Sequence, residues 1–157
     1  MERFRVMIRL RDILRPDNVQ LAIDARSRED AIHQVVELLR SDTRVKDWKE
    51  FYRELKERDG GGKTDLGSGL ALPHLRTAAV NDMVMAFGRL VAPVEGAQGP
   101  IRFVMVIGIP KTMDLDYLRL VGILMRVFRS NELRTQLEQA KKPAQVLDVF
   151  EHGETEL

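Results

Sequence analysis

Three histidines, no cysteine and one glycine-punctuated run ending in Pro-His are the features of this 157-residue chain that could do chemistry. An imidazole is ordinarily uncharged above about pH 6.5, so near neutrality it offers a lone pair for nucleophilic attack or metal ligation. The lack of cysteine removes thiolate nucleophiles, thiolate metal sites and disulfide scaffolds. His33, His74 and His152 are scattered, with no pair at helical metal-ligand spacing, so neither a metal nor another cofactor is expected. His33 falls in an amphipathic stretch and His152 near a polar tail; both are expected at the surface.

His74 is different in its surroundings. In Leu66-Gly-Ser-Gly-Leu-Ala-Leu-Pro-His74, Gly67 and Gly69 let the backbone turn tightly, Leu70 to Leu72 form a short apolar strand, and Pro73 fixes the approach to the ring. Spacing alone leaves a structural histidine and a reactive one both open. Two nearby phosphate motifs fail. Gly62-Lys63-Thr64 ends like a P-loop, but Glu57 stands where that loop needs glycine and a helix precedes it. Gly67-Ser68-Gly69 opens like a dinucleotide fingerprint, but Leu72 replaces its last glycine and the run leads to proline.

The run ending at His74 resembles the phosphorylation site of the type-2 EIIA domains of the bacterial phosphotransferase system, approximately G-x-G-[IL]-A-[IL]-P-H. The resemblance covers most of the chain. LRDILRPDNVQLAI followed by a capped helix is similar to the family's opening, and Phe103 to Ile109 to its central strand. Arg58 stands where the family places its active-site arginine, and the chain is most similar to the nitrogen-regulatory, PtsN-like branch. The resemblance implies that His74 accepts a phosphoryl group from a phosphorylated HPr- or NPr-type carrier, through a phosphohistidine and without a metal. The chain would be an enzyme only in that sense. Backbone N–H groups of Gly67, Ser68 and Gly69 would cradle the phosphoryl oxygens, and Arg58 would offset their charge. Arg76 is a further phosphate-binding candidate or a solvated arginine.

One residue departs from the family's pattern. Aligning Leu115-Asp-Tyr-Leu-Arg-Leu-Val-Gly122 with its helix puts Asp116 where a second histidine commonly sits. A carboxylate about 4 Å from a phosphoryl oxygen would repel it by about 4 kcal/mol at an effective dielectric of 20. Alternatively, Asp116 would accept a hydrogen bond from His74 and fix its tautomer. Three functions therefore stay open: a phosphoryl carrier or phosphorylation-switched regulator, a protein-binding module that Asp116 keeps from efficient phosphorylation, and a fructose- or mannitol-type sugar EIIA. Expected partners are the carrier and a regulatory target or EIIB, with a homodimer as a further expectation.

The elements that must position these groups follow from periodicity. Phe4, Val6, Ile8 and Leu10 alternate as in a strand, whereas Leu10, Ile13 and Leu14 suit a helical turn. Val19 to Ile23 alternates weakly; Ser27 then caps a helix to about Arg40, and Trp48, Phe51 and Leu55 mark another to about Asp59. Strands are expected at Leu70 to Leu72 and Met83 to Leu90, then a turn-rich link through Pro93 and Gly96. Phe103 to Ile109 is apolar on both faces, as in a central strand covered above and below. Helices follow from Leu115 to Phe128, from Ser130 to about Ala140, and from Pro143. This order predicts a single α/β domain over 1–157, a mixed sheet with helices on both faces.

Composition bounds the rest. With 25 cationic and 24 anionic side chains the net charge is only +1, so nothing favours nucleic acid or acidic lipid in general. The longest apolar run, Phe103 to Pro110, is too short to span a bilayer and no signal-peptide core opens the chain, so a cytoplasmic protein is expected.

Overall fold

The computed structural model describes residues 9–155, so the alternating positions 4–8 lie outside the described residues. A single helical turn, α1 (Leu10–Ile13), and a 3-10 turn at Pro16–Asn18 lead into β1 (Val19–Ile23). The Ser27 side chain accepts from the Asp30 N–H at 3.0 Å and starts α2 (Arg28–Glu37). That helix stops before Arg40. Its last carbonyls are taken by tighter i→i−3 bonds, from Leu38 to Val35, Leu39 to Val36 and Arg40 to Glu37. Asp47 caps α3 (Trp48–Asp59), and Gly60 ends it at φ +55°, a left-handed conformation that glycine adopts without strain.

Then come β2 (Leu70–Ala71), β3 (His74–Arg76), β4 (Val84–Val94) and β5 (Ile101–Ile109), followed by α4 (Asp114–Arg129), α5 (Asn131–Gln139) and α6 (Pro143–Thr155). β4 runs past the expected Leu90 because its far end re-pairs with β5 at Val94 and Ile101 after a register shift. Pro93 falls inside that irregular stretch, where its missing N–H breaks no ladder bond.

The sheet order is β1-β4-β5-β2, and β3 continues on the same edge of β5. β1 is parallel to β4, β4 antiparallel to β5, and β2 and β3 parallel to β5. On one face, Phe103, Met105 and Ile107 join the apolar stripes of α1, α4, α5 and α6; on the other, Val104 and Val106 join those of α2 and α3. The expected sandwich and its doubly covered central strand are both present. Gly108 sets how closely α3 approaches: a Cβ there would lie 2.7 Å from the Phe51 ring. No helix among the described residues is long and apolar enough to cross a membrane.

Candidate functional site

β3 is three residues long, and its parallel register against β5 fixes where each side chain points. His74 lies opposite Ile107, Leu75 opposite Gly108 and Arg76 opposite Ile109. Alternation sends Leu75 into the core under α2 and α3. His74 and Arg76 therefore turn the other way, toward the start of α4. There the Tyr117 ring stacks on the imidazole, with centroids 5.7 Å apart and planes at 28°. Asp114, one helical turn earlier, forms an ion pair with Arg76.

The half-buried His74 ring is held by its own strand. Nδ1 lies 2.7 Å from the Leu72 carbonyl oxygen. A carbonyl only accepts, so Nδ1 carries the proton, and in the neutral ring the lone pair is on Nε2.

Around this ring is a cleft of about 660 Å³, lined also by Arg58, Leu75, Arg76, Lys111, Asp114, Tyr117 and Leu118. Three cations and one carboxylate face it. Arg58 reaches the cleft from α3, on the opposite face of the sheet from α4, so the site sits at the sheet edge where both helical layers meet. Its neighbour Asp59 explains its placement. Arg28 donates to Asp59 at 2.7 and 2.8 Å and to Asp65 at 2.6 Å, all buried, which pins the end of α3 and leaves Arg58 exposed. Burial draws the Arg28 guanidinium down, but the hydrogen bonds and charges of the two carboxylates outweigh it and hold the group above its ordinary value.

Of the residues singled out by sequence, His74, Arg58 and Arg76 line one cleft. Gly67, Ser68 and Gly69 do not join them. Leu70 pairs with Phe103 and His74 with Ile107, four residues further along β5, so the glycine turn is about 13 Å down the strand from the imidazole. The Gly69 carbonyl accepts from the N–H groups of Arg102 and Phe103, both at 2.9 Å, and Ser68 lines a separate depression with Arg102, Arg134 and Glu138. With φ +82°, Gly69 serves to turn the chain into β2 instead of holding an anion at His74.

Asp116 is likewise displaced from its expected place: it is buried on the first turn of α4 and is absent from the cleft lining. One helical residue is a rotation of about 100°, so Tyr117 occupies the position beside the ring. Lys111, Asp114 and Tyr117 escaped sequence reasoning. The signal that existed was the three-residue spacing of Asp114 and Tyr117 just after Pro110, which ends β5. His33 and His152 are exposed, as expected.

The family model described as "Phosphoenolpyruvate-dependent sugar phosphotransferase system, EIIA 2" matches residues 12–153. The 2-O-alpha-mannosyl-D-glycerate-specific EIIABC component of Escherichia coli is 29% identical over 96% of this chain but only 24% of that protein, so the chain spans about a quarter of that relative's length. The nitrogen regulatory protein of Pseudomonas aeruginosa is 26% identical over 85% of this chain and 89% of its own. In fold, the structure is similar to nitrogen regulatory protein IIA-Ntr from Neisseria meningitidis, with a TM-score of 0.82 at 22% identity over 90% of this chain and 98% of that one.

Proposed function

The chain belongs to the EIIA 2 family of the phosphoenolpyruvate-dependent sugar phosphotransferase system, and from that membership we propose that His74 is its phosphoryl acceptor, with a phosphorylated HPr- or NPr-type protein as donor. The observation that carries the reading is the Nδ1–H bond to Leu72 in a cleft walled by Arg58, Arg76 and Lys111. The Nε2 lone pair attacks phosphorus in line as the donor's P–N bond breaks, and that bond's electron pair returns to the donor imidazole. The proton stays on Nδ1, donated to Leu72's carbonyl, throughout. Arg58, Arg76 and Lys111 balance the phosphoryl charge as it arrives, the electrostatic contribution that in-line transfer to His74 requires.

The phosphoryl group then has two fates: passage to an EIIB-type acceptor, or retention as a charge that changes which regulatory target binds. Relatives named for both kinds of role are found, the sugar components and the nitrogen regulatory proteins. Against a module silenced by Asp116 speaks that this residue does not line the cleft, whose one carboxylate, Asp114, is paired with Arg76.

Intact-mass measurement after incubation with phosphorylated carrier tests the assignment. Wild type gains one phosphoryl group and His74→Ala gains none; a wild type that gains nothing, or an alanine variant that gains as much, refutes it. Addition of an EIIB-type protein then separates the two fates by whether the mass is lost.

A further inference from the structure

β3 and α4 meet as a ladder with two rungs. His74 and Arg76 share one face of the strand, and Asp114 and Tyr117 share one face of the helix. One rung is the ring stack of His74 on Tyr117; the other is the ion pair of Arg76 with Asp114. Among the described residues, Arg76 is the cation of the cleft that has a carboxylate partner, whereas Arg58 and Lys111 have none.

Given His74 as the acceptor, we propose that Asp114 is the resident counter-anion of Arg76, a positioning residue that surrenders the guanidinium to the phosphoryl group on phosphorylation and reclaims it on dephosphorylation. The side chains of the pair are 51% and 65% exposed, and ion pairs so open to water are weak. A phosphoryl dianion offers the guanidinium fork two oxygens and more charge than a carboxylate, so it wins the competition. Arg76 lies about 7 Å along the strand from His74 on the same face, within the span of an arginine side chain. The released Asp114 is not stranded. It is the first residue of α4, where unpaired N–H groups and the helix dipole favour an anion. The exchange thus moves negative charge onto the helical turn that also carries Leu115 and Leu118, exposed at 66% and 64%, and so alters the surface a partner meets.

The test is the equilibrium of phosphoryl exchange with the phosphorylated carrier, read by intact mass in wild type, Asp114→Asn, Arg76→Ala and the double variant. Both residues are exposed, so the variants keep the fold, which thermal melts verify. Asp114→Asn should shift the equilibrium toward the phosphorylated chain about five-fold, and in the Arg76→Ala background less than two-fold. The Arg76 side-chain N–H resonance, identified by its loss in Arg76→Lys, should move on phosphorylation of wild type. An Asp114→Asn effect that persists in full without Arg76 means simple repulsion and overturns the exchange, as does an unmoved resonance or no effect at all. A wild type that takes no phosphoryl group from the carrier or from phosphoramidate, whose P–N bond to ammonia would break as the Nε2–P bond forms, overturns instead the assignment of His74 on which the exchange rests.

Discussion

Arg58 and Asp59 are consecutive residues, yet they belong to two charge sites of opposite design. Asp59 joins Arg28 and Asp65 in a cluster where all three side chains are at most 9% exposed and each charge is met by the protein. Arg58 opens onto the cleft with Arg76 and Lys111, where cations exceed carboxylates by three to one and the ring beside them is only half-buried. A buried cluster of this kind is costly to break, because removing one member leaves the others desolvated and uncompensated. The open site is cheap to alter in the resting protein because water already solvates its cations. The difference teaches that the inner charges hold the end of α3 in place so that Arg58 can wait, solvated, for an anion.

The sharpest way to break this contrast is Arg28→Met. It strands two carboxylates in the core and should cost about 3–5 kcal/mol of stability, measured by urea denaturation. Adding Asp65→Asn should recover part of that loss, since one buried charge is removed with its partner. If Arg28→Met melts like wild type, the cluster does not anchor α3. Next in size is Arg58→Ala, which should leave stability within about 0.5 kcal/mol of wild type. Its rate of phosphoryl uptake from the carrier should fall about a hundred-fold, as when one donor to developing negative charge is removed. Stopped-flow or quench kinetics read the rate, and a parallel denaturation curve reads the stability. Equal losses in both would merge the two sites into one structural unit.

Sequence reading reached the layers, the helices and the histidine of the cleft because each leaves a local mark: Ser27 and Ser130 as caps, a strand apolar on both faces, a Pro-His end to an apolar run. It also brought Arg58 to His74, by resemblance and not by periodicity. What it missed depends on register and rotation. Whether Asp116 or Tyr117 meets the imidazole is decided by where α4 begins, and element ends are the least legible feature of a sequence. Lys111 and Asp114 enter the cleft only because β3 stands on the edge of β5 facing that helix, a long-range pairing with no local signature. The buried cluster joins positions 28, 59 and 65, which no spacing rule connects.

The glycine run gives the smallest and most discriminating effect. In sequence, Gly67-Ser68-Gly69 and His74 read as one phosphate-cradling segment; in space the extended run from Leu70 to His74 separates them by about 13 Å, and each end belongs to a different depression. If charge in the cleft governs uptake, Ser68→Ala should change the transfer rate less than about two-fold, because its hydroxyl is beyond hydrogen-bond reach of a phosphoryl group on His74. Stability should change by less than about 0.5 kcal/mol, since the substitution keeps the turn's two glycines. A ten-fold slower transfer in Ser68→Ala, with the fold intact, would mean that the loop closes over the acceptor during transfer and that the two ends of the segment act as one site after all. The same assay on Arg58→Ala supplies the scale: the two substitutions differ in sequence distance from His74 by sixteen residues against six, and the nearer residue should matter least.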